Sequence, residues 1–192
     1  DANDSARARI MQFTTISGIN SPSDLSSEGR YAFTKSSTAV TNPEIITMNA
    51  AILTCGIITR RKACLVNVGD SRAYYLSDDG IRQISRDHSY VEELVSMGAI
   101  TKEEAAHHPK KNIITRALGV DASVEADYFE CPLHRGGGIL LCSDGLSNMV
   151  SDKEIHDHFK ENALPEDVCS KLMALALARG ARDNVSIVLI KT

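Results

Sequence analysis

Three aspartates stand beside apolar, β-prone runs in this sequence. Asp70 and Asp144 each follow such a run, whereas Asp183 precedes one. A single Asp-Gly or Asp-Asn normally does no more than form a turn. Three turns at the ends of three strands indicate more, because neighbouring strands of a sheet bring their ends together. The pattern predicts a cluster of carboxylates, and the runs occupy residues 63–68, 138–142 and 185–190.

Carboxylate oxygens from distant segments are the ligands that hard divalent cations prefer. Mg²⁺ and Mn²⁺ bind carboxylate and water oxygens, and Mg²⁺ usually keeps several waters, so two or three aspartates are enough for a site. The six histidines are dispersed, and the pair His107-His108 lies in a polar stretch, so a histidine-based zinc site is not expected. The residues therefore favour a magnesium or manganese site.

The cysteines are predicted to be reduced residues of the core. They are odd in number, show no Cys-x-x-Cys spacing, and mostly lie in or beside apolar stretches. A secreted domain of this size would not need to leave buried thiols unpaired, so this pattern favours the cytoplasm. The five positions are Cys55, Cys64, Cys131, Cys142 and Cys169.

The composition describes one ordinary globular domain that spans residues 1–192. The chain has 192 residues, 43% of them apolar, and a net charge of −4, without the excess positive charge that a nucleic-acid binder needs. No apolar run approaches the roughly 20 residues of a membrane span, and the N-terminus does not resemble a signal peptide. We therefore expect neither nucleic acid nor a membrane as a partner.

The hydrophobic periodicity predicts strands interleaved with pairs of helices. Because regular βαβ alternation is absent from this pattern, we expect an α+β fold with mostly antiparallel sheets. Predicted strands cover residues 51–59, 63–68, 73–77, 81–84, 123–129, 139–142 and 185–191. Predicted helices cover residues 6–16, 24–40, 90–97, 101–108, 152–159 and 165–180.

Seven short motifs, in this order and spacing, resemble the bacterial form of the type 2C, metal-dependent protein serine/threonine phosphatases, over roughly residues 50–192. They are Val68-Gly69-Asp70-Ser71-Arg72-Ala73-Tyr74, Asp87-His88-Ser89, Gly98-Ala99-Ile100-Thr101 with Glu104-Ala105, His108-Pro109, Ile114-Thr115-Arg116-Ala117-Leu118-Gly119, Leu140-Leu141-Cys142-Ser143-Asp144-Gly145-Leu146-Ser147 and Asp183-Asn184-Val185-Ser186. The resemblance implies an α-β-β-α sandwich, in which two antiparallel sheets are flanked by helices and enclose a binuclear Mg²⁺ or Mn²⁺ centre.

The resemblance also implies roles for individual residues. Asp144 and Asp183 would be ligands of the first metal, and Asp70 would serve a third metal position. Residues 88–116 would form a flap beside the active site, which begins at His88 and Ser89. The residues expected to support these ligands from behind are Ser143, Gly145 and Asn184.

The implied reaction is hydrolysis of phosphoserine and phosphothreonine in proteins. Two cations, or three if the position at Asp70 is filled, would lower the pKa of a bound water that attacks phosphorus in line, so no protein nucleophile is needed. The expected partners are phosphorylated proteins and a cognate serine/threonine kinase, and the chain is expected to be a cytoplasmic monomer. The side chain of Arg72 is expected to fix the loop at Asp70 rather than to bind phosphate.

The N-terminus departs from the family pattern. The family's Arg-x-x-Asn-Glu-Asp segment does not occur here, and Asp-Gly-Met-Gly-Gly is replaced by Asp1-Ala2-Asn3-Asp4-Ser5. Asp1 would stand for the aspartate that bridges two metals, with Asp4 as its rival. Asn148 stands where many relatives have another acidic ligand.

Several explanations of these departures are open. The chain lacks its first two strands, or it is a degenerate relative that binds phosphoproteins or partner domains without turnover. A different metal hydrolase built on the same three aspartates is a third reading. Metal stoichiometry separates catalysis from binding alone, because catalysis needs two or more tight sites.

Overall fold

The computed structural model describes residues 30–37, 51–59, 61–181 and 183–192. The strands in this part of the chain are β1 (Arg30–Ser37), β2 (Ala51–Ile58), β3 (Lys62–Val68), β4 (Arg72–Ser77), β5 (Gly80–Gln83), β6 (Asp127–Pro132), β7 (Gly138–Cys142) and β8 (Ile187–Lys191). The helices are α1 (Tyr90–Ser96), α2 (Lys102–His107), α3 (Asp144–Ser147), α4 (Asp152–Glu161) and α5 (Pro165–Ala178). The helix predicted over residues 6–16, together with Asp1 and Asp4, lies outside the described residues.

The strands form two four-stranded sheets in which each pairing is antiparallel. The order of the first sheet is β1-β2-β3-β6, and that of the second is β5-β4-β7-β8. In the first sheet, the neighbours β3 and β6 are far apart in the sequence. In the second sheet, β4 and β7 are far apart as well, and β7 is joined to β8 through α3, α4 and α5. The expected α+β class with antiparallel sheets is confirmed.

The central strands of the second sheet are buried on both faces. Ile139 and Leu141 of β7 pack toward the first sheet, whereas Leu140 and Cys142 pack toward the helices. Strand β8 alternates in the same way. A strand that is covered on both faces needs apolar residues at consecutive positions, which explains why these segments read as unbroken apolar runs.

The helices α4 and α5 cover the outer face of the second sheet. Helix α4 begins with a capping box. The Ser151 hydroxyl accepts from the Glu154 backbone amide, and the Glu154 carboxylate accepts from the Ser151 backbone amide. Helix α5 begins at Pro165 and ends before Gly180, whose φ of 75° suits glycine. In the part of the chain that the structure describes, no helix is long and apolar enough to cross a membrane.

Two predicted elements differ from the structure. The helix expected over residues 24–40 is wrong, because Arg30–Ser37 is a strand that pairs along its whole length with β2. The Ser and Thr residues that weaken helix propensity there are tolerated well in a strand. The strand expected at residues 123–129 begins later, at Asp127, and continues to Pro132, whose missing amide is acceptable at a strand end.

Candidate metal centre

The strand register brings the three aspartates to one end of the second sheet. Arg72 of β4 lies opposite Cys142 of β7. Because the strands are antiparallel, Asp70 before β4 and Asp144 after β7 lie beyond the same end. Strand β8 pairs antiparallel with β7, so Asp183, which precedes β8, lies at this end too. The fold therefore places all three aspartates beyond the same end of the second sheet.

Among the residues that the structure describes, no salt bridge involves Asp70, Asp144 or Asp183. Oδ1 of Asp70 is buried and has no hydrogen-bond partner among the described residues. Burial, followed by the charges of Asp144 and Asp87, raises the pKa of Asp70 to about 7. Burial and then the charge of Asp183 raise the pKa of Asp144. A divalent cation would remove both the desolvation cost and the repulsion, so the donor chemistry fits a metal.

The described residues supply only part of a coordination shell. Within residues 30–37, 51–59, 61–181 and 183–192, no three His, Cys, Asp or Glu side chains converge closely enough to hold an ion. Asp70, Asp144 and Asp183 are instead arranged around two adjoining cavities. Any further ligand to a cation would come from water, from substrate or from the rest of the chain.

Asp144 lies on the wall between these two cavities. The first, of about 390 Å³, is lined by Asp70, Asp144 and flap residues, and the second, of about 500 Å³, is lined by Asp144 and Asp183. Lys111 and Asn112 of the flap border both cavities. The two openings therefore share one carboxylate and one stretch of the flap.

The residues expected to support the ligands hold the backbones of two turns together. The Ser143 hydroxyl donates to the Asn184 carbonyl at 2.8 Å and accepts from the Ser186 amide at 2.9 Å. At Gly145, an added Cβ would lie 2.5 Å from the Asn184 carbonyl oxygen, so only glycine allows this approach. Ser143 and Gly145 thus set the distance between Asp144 and Asp183.

Two neighbours complete the surroundings of these aspartates. The Asn148 side-chain amide donates to Asp144 Oδ2 at 3.3 Å, and thus supplies a neutral donor at a position where many relatives have an acid. The Asn184 backbone amide donates to Asp183 Oδ1 at 2.7 Å. Both bonds restrict the rotation of a carboxylate that faces the second cavity.

A buried polar network beneath Asp70 was missed by sequence reasoning. The hydroxyl of Thr54 bonds to the side chain of Asn67 and lies 3.1 Å from the Ser71 carbonyl. The Asn67 side-chain amide donates to the Gly69 carbonyl at 3.1 Å. Both Thr54 and Asn67 are fully buried. Polar residues inside otherwise apolar strands were the only signal of this network.

Arg72 fixes the same turn through an ion pair, as expected. Its Nε and Nη2 atoms donate to Asp87 Oδ2 at 2.9 and 2.7 Å. Gln83 also donates to Asp87, at 2.8 Å, and Arg72 Nη1 contacts the Tyr74 hydroxyl at 3.3 Å. Arg72 also lines the first cavity, but its guanidinium is held by Asp87 and thereby supports the turn at Asp70.

The flap region contains the helices α1 and α2. Ser89 caps α1 by accepting from the Glu92 amide at 3.3 Å, and it also lines the first cavity. The two ends of the flap meet in a short antiparallel bridge between Ser89 and Ile114. His88, at the base of the flap, is only 6% exposed. The predicted flap is thus a closed insertion beside the acidic end of the sheet.

These features define an α+β protein with two facing antiparallel sheets and a carboxylate cluster, suited to a divalent cation, at one end of a sheet. The family model described as protein phosphatase 2C matches residues 21–177. The chain belongs to this family.

Individual relatives agree with this assignment. A serine/threonine phosphatase stp of Listeria innocua is 40% identical over 139 residues, which cover 72% of this chain and 55% of that protein. The crystal structure of the serine/threonine phosphatase Stp1 from Staphylococcus aureus has a TM-score of 0.72 at 40% identity, over 75% of this chain and 57% of that one. A structure of the catalytic domain of the phosphatase PstP in complex with two manganese ions has a TM-score of 0.64 at 36% identity, over 74% and 59% of the two chains. The chain thus spans a little over half the length of the relatives it matches.

Proposed function

We propose that this chain catalyses metal-dependent hydrolysis of phosphoserine and phosphothreonine in proteins. The observation that carries the proposal is the cluster of three aspartates at one sheet end, with a buried Asp70 oxygen that has no hydrogen-bond partner among the described residues. Family membership and relatives named serine/threonine phosphatases support the reaction class. The substrates would be phosphorylated proteins, including those of a cognate serine/threonine kinase.

The residues that would hold the cations are Asp144, Asp183 and Asp70. The relative in complex with two manganese ions supports the proposal of two cations, for which Mg²⁺ is the alternative to Mn²⁺. A third cation would use Asp70. Asp1 stays the proposed bridging ligand, although it lies outside the described residues. When bound, such cations polarise phosphoryl oxygens and make water more acidic.

The described side chains near the cluster are poor nucleophiles. Burial raises the pKa of the Cys142 thiol to about 12, so this thiol stays protonated at neutral pH. The Ser143 hydroxyl is held by two backbone partners. Hydrolysis by water is therefore the chemistry that these residues permit. The five free cysteines also support the proposed cytoplasmic location.

Lys111 is the flap cation placed to attract a phosphoryl group. It borders both cavities that Asp144 separates, and among the described residues no ion pair involves it, whereas Arg72 and Arg179 are paired with carboxylates. Lys111→Gln should raise KM for a phosphopeptide several-fold with little change in kcat. A KM equal to that of the wild type would exclude this role.

The experiment that tests the function is Mn²⁺-dependent phosphate release from a phosphothreonine peptide by the full chain. Asp144→Asn should abolish release, because it removes the carboxylate that both cavities share. Asp79→Asn is the matched control, since the exposed Asp79 follows the opposite end of β4. Equal activity of the wild type and Asp144→Asn would refute the proposal.

A further inference from the structure

His88 connects three separate parts of the molecule at the base of the flap. Its amide donates to the Gly69 carbonyl at 2.9 Å, and its carbonyl accepts from the Thr115 amide at 2.9 Å. Its imidazole is buried between the turn that carries Asp70 and Asp127 of β6. The residue therefore joins the metal-site turn, the far end of the flap and the first sheet.

The hydrogen bonds of the imidazole define its tautomer. Nδ1 lies 3.0 Å from the Gly69 amide and accepts its proton. A neutral ring must then carry its own proton on Nε2, which lies 3.1 Å from Asp127 Oδ2 and donates to it. Arg116 Nη1 donates to the other oxygen of Asp127 at 2.9 Å. The same Nη1 lies 3.2 Å from Nε2 but makes no hydrogen bond to it, because both nitrogens are donors in this tautomer. The carboxylate thus receives two donors and orients the ring.

The charge state of Asp127 agrees with this assignment. Burial disfavours the ionised form, but the hydrogen bonds from His88 and Arg116 and the charge of Arg116 outweigh it and lower the pKa of Asp127. Asp127 is therefore ionised at neutral pH and can accept from both groups. A carboxylate behind a histidine commonly fixes which ring nitrogen carries the proton.

His88 holds both polar groups of Gly69. This glycine has a φ of 109°, in the region that other residues avoid, and an added Cβ would lie 2.4 Å from Ile52. The imidazole holds the peptide before Gly69 through the Gly69 amide. The peptide before Asp70 is held through the Gly69 carbonyl, which accepts from the His88 backbone amide and from the Asn67 side chain. Together these bonds fix the orientation of the turn before Asp70. The direction in which the Asp70 carboxylate leaves the turn follows from that orientation.

We infer that His88 is a positioning residue that aims Asp70 into the site through the Gly69 amide, with Asp127 and Arg116 as its support. The inference rests on the proposed function, because Asp70 is the proposed metal ligand. Since Arg116 lies at the far end of the flap, its bond to Asp127 also connects the flap to His88 and thus to the direction of Asp70.

Two substitutions of His88 distinguish the contributions of its two ring nitrogens, because each variant keeps the hydrogen bond of only one of them. In His88→Asn, the side-chain oxygen takes the place of Nδ1 and can still accept from Gly69. In His88→Gln, the side-chain amide takes the place of Nε2 and can still donate to Asp127, but the Gly69 amide loses its acceptor. The Asn variant should therefore preserve the turn, whereas the Gln variant should release it.

The first readout is hydrogen exchange of the Gly69 amide in the metal-free full chain. We expect exchange to be about tenfold faster in His88→Gln than in His88→Asn, as for the loss of one backbone hydrogen bond. The second readout is Mn²⁺ affinity by calorimetry, which should fall about 10- to 100-fold in His88→Gln, as for loss of an outer partner of a metal ligand, and within about threefold in His88→Asn.

Equal exchange rates in the two variants would overturn the inference, and so would equal Mn²⁺ affinities. Should His88→Gln fail to fold, Asp127→Ala provides a second comparison with His88→Asn, because it removes the acceptor that orients the ring and should loosen the Gly69 amide to a smaller extent. A wild-type chain that binds Mn²⁺ but releases no phosphate would refute the proposed function, and the exchange and affinity measurements would still decide the role of His88.

Discussion

Asp70→Asn should stabilise the metal-free protein while it weakens the response to metal. The pKa of Asp70 rises from its ordinary 3.8 to about 7 because of burial and the neighbouring charges of Asp144 and Asp87. At about 1.4 kcal/mol for each tenfold change in protonation, the ionised carboxylate costs at most about 4 kcal/mol in the fold. Partial exposure reduces this cost, and we expect a gain of about 1–2 kcal/mol for the neutral amide.

The pH dependence of this gain has a definite sign. Above pH 7, Asp70 is ionised in both the folded and the unfolded chain, and the wild type carries the full cost. As the pH falls from 7 towards 3.8, the folded carboxyl takes up its proton first and the cost declines. The advantage of Asp70→Asn should therefore be largest at pH 8 and smaller at pH 5.

Thermal unfolding in EDTA between pH 5 and pH 8 measures this difference. At pH 8 the Tm of Asp70→Asn should exceed that of the wild type by about 2–8 °C. Added Mn²⁺ should reverse the order, because a ligand that binds the folded state stabilises the wild type more. Parallel pH profiles, or a variant that is less stable at pH 8, would refute the argument.

Three further predictions concern residues around the site. Gly145→Ala should lower the rate of phosphate release about 100-fold, because the added Cβ would displace the backbone at Asn184. The measurement is kcat, with Tm as the check that the variant is folded. An unchanged kcat would contradict this prediction. Asp87→Asn should lower the free energy of unfolding by about 1–3 kcal/mol, because Arg72 loses its charged partner and one of its acceptor oxygens. Urea titration measures this change, and an unchanged midpoint would contradict it. Cys142→Ala should cost about 1 kcal/mol of packing and leave kcat intact, and loss of activity at unchanged stability would contradict this.

The strands and the position of the acidic cluster could be predicted because they depend on local patterns. The β7 segment is apolar at every position, and Asp144 follows it directly. Turn chemistry at Gly69 and the capping boxes at Thr101 and Ser151 are equally local signals. The structure then showed that strand register, which sequence does not state, places the aspartates at one end.

Contacts between distant segments could not be predicted in this way. The pairing of Thr54 with Asn67 and that of His88 with Asp127 depend on which strands become neighbours. The helix predicted over residues 24–40 failed for the same reason, since pairing with β2 outweighs a weak local preference. The pairing of strands and side chains from distant segments therefore determines these features, which the local sequence pattern does not specify.

The bridge at the base of the flap has a consequence for variation among relatives. Tyr90 donates to the Ile113 carbonyl and Thr115 to the His88 carbonyl, each at 2.9 Å, so the insertion leaves and re-enters the sandwich at nearly one point. Closing a loop whose ends already touch costs little more when the loop grows, since each doubling of its length adds only about 0.6 kcal/mol. Segments of different length and surface could therefore be exchanged between Ser89 and Ile114 as cassettes, with the sheets and the acidic cluster left in place.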